Sequence, residues 1–321
     1  MTLTRRHALA AGLAPALGLM VRPAAAQPAY PNRPIRMIVP YAAGGADSYI
    51  RPLQNRVAQE LGQALVIESV TGGGGATGAQ RVKSAAPDGY TVLFAGTGAL
   101  TAVPRLQDLS YSIADFSPIG GLVAISYVLA TGPRTPFRTL PEMLAAARAR
   151  PEGLTYGTPG VGSTPHLAAE AMAKSAGIRL LHVPYNGVAT AAVALLAGDV
   201  DLVMGAPSNI MPLVAQGVRV LAQTGPTRIA ALPELTTLQE AGLNVDVVTR
   251  FGFFAPKGTP QPILDRLTRA LLGAAADPAY QESMSRGFNP VDLLEPDRFR
   301  SFLEAEDRLT AQMITELGLK P

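Results

Sequence analysis

The sequence contains no cysteine, no tryptophan and only three histidines among its 321 residues. Without cysteine there can be no disulfide, so burial of an apolar core must hold the fold together. Beyond the first 26 residues only His166 and His182 remain, and no carboxylates cluster with them. Because a transition-metal site needs several such ligands, we expect neither a metal ion nor a cofactor.

Charged residues are also scarce, at 16% of the chain, whereas 48% of the residues are hydrophobic. This composition is typical of a globular protein and excludes a largely disordered one. The net charge of +3 comes from Arg5, Arg6 and Arg22, because the first 26 residues contain no Lys, Asp or Glu. The other 24 basic residues balance 24 acidic ones. We therefore expect no binding to nucleic acid, which requires a basic surface.

Residues 1–26 have the features of an export signal. Two adjacent arginines precede an apolar stretch over residues 8–21, and three alanines ending at Ala26 fit a cleavage site. The sequence predicts a periplasmic protein that begins near Gln27, exported by the Sec route or by the twin-arginine route. The apolar stretch is shorter than the roughly 20 residues of a spanning helix, so the mature protein is not expected to cross the membrane.

Short apolar runs alternate with helical segments along the rest of the chain. The runs cover residues 34–40, 64–70, 90–96, 119–130, 154–157, 180–184, 200–205, 218–224 and 251–255. Such alternation predicts an α/β fold with mostly parallel sheets flanked by helices. Capping and periodicity predict helices that begin at Thr139, run from Thr164 to Gly177, and span residues 260–276 and 296–317. Pro52 predicts a kink or a late start in the helix after residue 47.

Glycine-rich segments follow two of the runs. They read Tyr41-Ala-Ala-Gly-Gly-Ala-Asp47 and Thr158-Pro-Gly-Val-Gly-Ser-Thr-Pro-His166. Ligands of open α/β sheets bind beyond the carboxyl ends of strands, where helix N-termini offer free N–H groups. We therefore predict that both segments bind an anion such as a carboxylate without an arginine. A connecting turn is the alternative for the first segment, and helix capping is expected of Asp47 and of either Ser163 or Thr164.

Several other residues leave two interpretations open. Residues 72–75 are four glycines without the Lys-Ser/Thr of a phosphate loop, so a tight turn near the ligand fits them better. His166 fits a structural role better than a catalytic one, because no complete catalytic set surrounds it. The aromatic residues Tyr41, Tyr185 and Phe251 are either core residues or apolar walls of a binding cleft.

The chain resembles the Bug family, the periplasmic receptors of tripartite tricarboxylate transporters. The resemblance covers nearly all of the chain after residue 26 and is carried by ordered motifs: Ala43-Gly-Gly-Ala-Asp47, Ala86-Pro-Asp-Gly-Tyr90, Tyr156-Gly-Thr-Pro-Gly-Val-Gly-Ser-Thr-Pro-His-Leu167, Val183-Pro-Tyr-Asn-Gly187 and Ala255-Pro-Lys-Gly-Thr-Pro260. It implies a two-lobe type II periplasmic-binding (Venus flytrap) fold, in which residues 41–47 and 158–164 hold a ligand carboxylate. The chain departs from the family at residues 68–75 and at Arg250-Phe251, where a tryptophan is common. Arg250 then faces either a second ligand carboxylate or solvent.

From these features we predict a solute-binding protein, not an enzyme, that delivers a small carboxylate to membrane transporter subunits and is a monomer. Lobe 1 is expected to contain residues 27–130 and 251–321, and lobe 2 residues 131–250. The alternatives are a receptor for a sensor kinase and a hydrolase that uses Ser163 and His166. The residues predicted to bind the ligand between the lobes are Tyr41, Ala43, Gly44, Gly45, Asp47, Gly74, Thr97, Thr158, Gly162, Ser163, Thr164, His166, Tyr185, Ser208 and Phe251.

Overall fold

The computed structural model describes residues 30–319, so the predicted export signal lies outside the described residues. The strands are β1 Ile35–Val39, β2 Leu65–Ser69, β3 Thr91–Gly96, β4 Phe116–Ser126, β5 Val128–Thr131, β6 Leu154–Thr158, β7 Leu180–Pro184, β8 Leu202–Gly205, β9 Arg219–Gln223, β10 Val248–Pro256 and β11 Val291–Leu294. The helices are α1 Asp47–Ile50, α2 Gln54–Leu61, α3 Ala76–Lys83, α4 Gly98–Thr101, α5 Val103–Leu106, α6 Leu140–Arg148, α7 Thr164–Ala176, α8 Val188–Ala197, α9 Pro207–Ile210, α10 Gln261–Ala275, α11 Pro278–Arg286 and α12 Pro296–Leu317. Short 3-10 segments lie at Arg51–Leu53, Gly73–Gly75, Ile113–Asp115 and Met211–Gln216.

The strands form two mixed sheets, one in each lobe. The sheet of the first lobe has the order β11-β4-β10-β3-β1-β2, and that of the second lobe has the order β7-β6-β8-β5-β9. Among the strands of residues 30–319, parallel pairing is confined to β1 with β2 and β3, and to β6 with β7 and β8. The predicted α/β class is confirmed, but the prediction of mostly parallel sheets is wrong. Strand β4 leads out of the first sheet and β10 returns to it, so these two neighbours run in opposite directions.

The chain passes between the lobes at Tyr127 and again between β9 and β10. Only Tyr127 separates β4, in the first sheet, from β5, in the second. The run over residues 119–130 was predicted as one segment, but it forms two strands in different sheets. The sequence-based lobe boundaries were residues 131 and 251. The chain already enters the second sheet at Val128, and it re-enters the first sheet at Val248, where β10 starts. All four residues of β5 are buried, so hydrophobicity continues across the crossing.

Each sheet is buried on both faces, as the helices that flank it require. Neighbouring residues of one strand belong to different core clusters: Met37 and Phe253 pack on one face of the first sheet, and Ile38 and Phe254 pack on the other. This is the two-residue alternation of a pleated strand. Burying each such side chain contributes about 1.5–3 kcal/mol, and the core is extensive enough to hold the fold without a disulfide.

The helix signals in the sequence are confirmed. Thr139 accepts a hydrogen bond from the Glu142 N–H at the start of α6, and Gly177 ends α7 in the left-handed conformation. The helix after residue 47 breaks into α1, a 3-10 turn and α2 around Pro52. Helix α12 packs against β4 and also contacts α7 of the second lobe. Within residues 30–319, no helix combines the length and the apolar character that crossing a membrane requires.

Candidate functional site

A small cavity of about 40 Å³ lies between the two sheets. Its walls come from the segments that follow β1, β3, β6 and β8, from Val188 of α8, and from the two places where the chain passes between the lobes. Five of the residues predicted from the sequence line this cavity: Tyr41, Gly45, Ser163, Thr164 and Phe251. The two glycine-rich segments are therefore brought together, as predicted.

The segment after β1 reaches the cavity with Tyr41, Gly45 and Ala46. Gly44 has a φ of 84°, a conformation that side chains with a Cβ disfavour. Its carbonyl accepts a hydrogen bond from Asn209 Nδ2 of the second lobe at 2.9 Å. Ala43 and Gly44 support this turn, but the structure does not place them on the cavity wall.

Asp47 does not cap a helix, so that prediction is wrong. Ala46 occupies the N-cap position of α1, and Asp47 is the first helical residue. Its carboxylate is 1% exposed and its Oδ2 accepts a hydrogen bond from Arg51 Nε at 2.6 Å. The ion pair forms one turn along the helix, where i and i+4 side chains meet. Asp47 therefore lies beside the cavity rather than on its wall.

The segment after β6 reaches the cavity with Pro159, Ser163, Thr164 and Pro165. Ser163 occupies the N-cap position of α7 in extended conformation, as predicted, but its side chain makes no cap hydrogen bond. Its Oγ donates instead to the Gly160 carbonyl at 2.7 Å. That bond tightens the turn and leaves the N–H groups at the start of α7 without a capping side chain.

The segment after β3 supplies a third wall, of which the sequence indicated only Thr97. The cavity is lined by Gly96, Gly98 and Ala99. The Thr97 hydroxyl points away from them and donates to Glu306 Oε1 of α12 at 2.7 Å. A Gly-Thr-Gly sequence directly after a buried strand was the signal that could have revealed this wall.

Aromatic rings and hydroxyl groups form another part of the cavity wall, beside Val188, Ala206 and Asn209. Tyr41, Tyr49, Tyr127 and Phe251 line it together with Thr249. The rings of Tyr41 and Tyr49 meet that of Phe251 edge to face, at centroid distances of 6.3 and 5.2 Å. Burial raises the pKa of each tyrosine, so all three are neutral hydrogen-bond donors at physiological pH.

No Lys, Arg or His belongs to the described residues that line the cavity. Within residues 30–319, the main-chain N–H groups of Gly45, Ala46 and Thr164 have no protein acceptor. Such groups carry partial positive charge at the start of a helix and bind anions without a basic side chain. The site can therefore hold a single carboxylate by neutral donors, with the aromatic rings beside it.

Glycines also bring the two lobes into direct contact around the cavity. A Cβ added to Gly98 would lie 2.5 Å from Thr164 Oγ1, and one added to Gly74 would lie 2.5 Å from the Val161 carbonyl oxygen. Gly162 packs in the same way against Val103. Gly74 and Gly162 were predicted to bind ligand, but the structure places them in this contact between the lobes and not on the cavity wall.

The remaining predicted residues lie behind the walls. Thr158 Oγ1 lies 2.6 Å from His182 Nε2 on β7, and His166 Nδ1 accepts from the Gly162 N–H. The Tyr185 N–H donates to the Thr158 carbonyl at 2.9 Å. Ser208 Oγ is buried without a hydrogen-bond partner among the described residues. The Arg250 side chain does not line the cavity. It forms an ion pair with Asp292 at 2.7 Å and lies 4.3 Å from the centre of the Phe302 ring.

Two lobes of α/β structure around a cavity with neutral walls define a solute-binding protein of the periplasmic type. The model of the tripartite tricarboxylate transporter family receptor matches residues 49–319. The chain belongs to this family. It is 35% identical over 323 residues to a Cupriavidus necator protein described as the UPF0065 protein in the gbd 5' region, covering 98% of both chains.

Solved structures show the same fold. The periplasmic binding protein BugD is 31% identical and superposes with a TM-score of 0.86, covering 91% of this chain and 99% of its own. An R. palustris protein, Rpa4515, whose structure contains adipate, is 27% identical with a TM-score of 0.86 and the same coverage. The two-lobe fold implied by the sequence motifs is confirmed.

Proposed function

We propose that the cavity binds a small carboxylate and that the protein delivers it to the membrane subunits of a tripartite tricarboxylate transporter. The observation that carries this proposal is the set of unpaired main-chain N–H groups of Gly45, Ala46 and Thr164 at one cavity with neutral walls. One carboxylate bound there accepts from both lobes at once. Hydrogen bonds to a charged acceptor are about twice as strong as neutral ones, so an anion stabilises the closed arrangement.

The rest of the ligand contacts the aromatic rings and hydroxyl groups. The phenols of Tyr41, Tyr49 and Tyr127 can donate to an oxygen at the far end, and Phe251 packs against an apolar chain. The adipate in the structure of a relative is a chain of this type with a carboxylate at each end. We therefore expect short dicarboxylates and hydroxy acids to be the first compounds that bind.

Ligand binding is coupled to closure of the lobes. We propose a first lobe of residues 30–126 and 248–319, a second lobe of residues 128–223, and a hinge formed by Tyr127 and residues 224–247. A ligand that contacts both lobes has higher affinity for the closed form and shifts the population towards it. Tyr127 lines the cavity, so the ligand also touches the hinge.

Export precedes this function. We propose that residues 1–26 form a cleaved signal, read by the Sec or the twin-arginine machinery, and that the mature protein acts as a monomer in the periplasm. Its partners are then the small ligand and the integral membrane subunits. Ser163 and His166, the residues of the hydrolase alternative, each bond to the main chain of their own turn and not to one another. This geometry supports binding without catalysis.

The test combines native mass spectrometry of freshly purified protein with a thermal-shift panel. The panel contains adipate, succinate, malate, citrate and benzoate, each beside its uncharged amide. A carboxylate present at 100 times its Kd is expected to stabilise the fold by about 2.7 kcal/mol, and the matched amide by much less. Equal stabilisation by acid and amide, or turnover of any compound, would contradict the proposal.

A further inference from the structure

Two histidines lie behind the segment of residues 158–164 that lines the cavity. The Gly162 N–H donates to His166 Nδ1 at 3.3 Å. On the neighbouring strand, His182 Nε2 lies 2.6 Å from Thr158 Oγ1, and the same hydroxyl accepts from the Gly160 N–H at 3.3 Å. Each end of the turn is therefore tied to an imidazole.

The two rings also pack against each other. Their centroids are 4.2 Å apart, and the ring of Tyr156 lies against both, 4.9 Å from that of His182 and 6.4 Å from that of His166. The Tyr156 hydroxyl donates to the Glu170 carboxylate. His166 is 6% exposed. Two cationic imidazoles at this separation, one buried and the other half-buried, would repel each other.

Only a neutral His166 imidazole can accept the hydrogen bond from the Gly162 N–H. Because Nδ1 of His166 accepts a hydrogen bond, its ring proton resides on Nε2. Protonation would place a second hydrogen on Nδ1, directly opposite the Gly162 N–H, and would break the bond. Burial lowers the pKa of His166 to about 4, and burial together with His166 lowers that of His182 to about 3.

We propose that His166 and His182 are positioning residues for ligand binding, which as neutral imidazoles hold residues 158–164 in the shape that presents Thr164 to the ligand. The inference rests on the proposed function of that segment. Neither histidine lines the cavity. They act through the turn and not by touching the ligand.

The first experiment compares two substitutions at His166. In His166→Asn the side-chain oxygen occupies nearly the position of Nδ1 and can accept from Gly162, whereas His166→Phe keeps a flat ring without an acceptor. Hydrogen exchange of the peptide that contains residues 159–164 should accelerate in His166→Phe and stay close to wild type in His166→Asn. The affinity for the carboxylate of the panel that binds best should fall about tenfold in His166→Phe and stay unchanged in His166→Asn. A tenfold loss corresponds to the loss of about one such hydrogen bond.

The second experiment is the pH profile of binding for wild type and His166→Asn. Protonation of the ligand weakens binding equally in both proteins. Wild type should lose additional affinity as the pH falls through about 4, because His166 becomes protonated there. A His182→Gln variant, which retains an amide group for Thr158, tests the second histidine in the same way.

The outcomes separate the inference from the proposed function. If no carboxylate binds, the proposed function fails, but hydrogen exchange still reports whether His166 holds the turn. If a carboxylate binds and the pH profiles of wild type and His166→Asn coincide, the positioning role is wrong. Unchanged exchange of residues 159–164 in His166→Phe would overturn it as well, even if that variant had a lowered Tm.

Discussion

At the scale of single residues, the cavity offers hydroxyl groups where another binding site would offer charges. Thr249 is 1% exposed and lines the cavity, and its Oγ1 lies beside the Tyr127 hydroxyl without a hydrogen bond of good geometry among the described residues. It lies on β10 next to Tyr127, so both hydroxyls belong to the parts of the chain that join the lobes. A buried hydroxyl without a partner is unfavourable until a ligand supplies one.

Replacing Thr249 should therefore affect binding and leave the fold intact. Thr249→Val removes the hydroxyl at nearly constant shape, so we expect an unchanged or slightly raised Tm and an affinity for adipate about five- to tenfold weaker. Hexanoate, which lacks the second polar end, should lose much less. Isothermal titration with both compounds measures the difference. Thr310→Val, at a buried threonine outside this cavity, is the control; equal losses for the two compounds would argue against a contact with Thr249.

Glu306 predicts how stability depends on pH. Its Oε1 accepts from Thr97, its Oε2 is buried without a partner among the described residues, and burial raises its pKa to about 7. A raised pKa means that the folded state holds the proton more tightly, so stability is fully present below pH 4.5 and is lost as the pH rises through 7.

Urea unfolding at pH 5 and pH 8 tests this dependence. Between these values wild type should lose about 2–3 kcal/mol relative to Glu306→Gln, since one pKa unit corresponds to about 1.4 kcal/mol. Glu304→Gln, at an exposed position of the same helix, should follow wild type. If Glu306→Gln loses as much stability as wild type, the buried carboxyl is ionised throughout and the argument fails.

At the scale of elements, the sequence predicts what is local and misses what is brought together over long distances. The segments after β1 and β6 could be predicted, because a glycine-rich turn after a strand is a local signal. Tyr49, Asn209 and Thr249 could not, because nothing in their neighbourhoods distinguishes them from other core or surface residues. The crossing at Tyr127 was missed for a similar reason, since hydrophobicity is continuous through it.

A substitution in helix α4 can test the contact between the lobes. Gly98 is its first residue and meets Thr164 closely, and its φ is not positive, so alanine is compatible with its backbone. We expect Gly98→Ala to retain the Tm of the unliganded protein but to disfavour the closed form. The affinity for a carboxylate should fall about tenfold, and the radius of gyration from small-angle scattering should increase.

The matched control is Gly273→Ala, at a helical glycine of α10 where an added Cβ meets nothing within 4 Å. It should bind ligand and scatter like wild type. Should the Gly98 and Gly273 variants behave alike, the glycine contact does not limit closure.

At the scale of the whole molecule, two connections join the two sheets. A single residue separates β4 from β5, whereas residues 224–247, which form turns and bury Leu238 and Val245 in the core, lead from β9 to β10. The glycine contacts and the Asn209–Gly44 hydrogen bond join the two lobes and exist only when the lobes are together. A ligand that accepts from both lobes adds to these contacts and completes the closed form.

The most direct measurement is an amide NMR titration with the carboxylate that binds best and with its uncharged amide. Hydrogen bonding to an anion should move the proton resonances of Gly45, Ala46 and Thr164 strongly downfield with the acid and only weakly with the amide. Such shifts at residues of both lobes are the predicted result. Resonances of these three residues that do not respond to a tightly bound carboxylate would show that the anion is held elsewhere and would contradict the account.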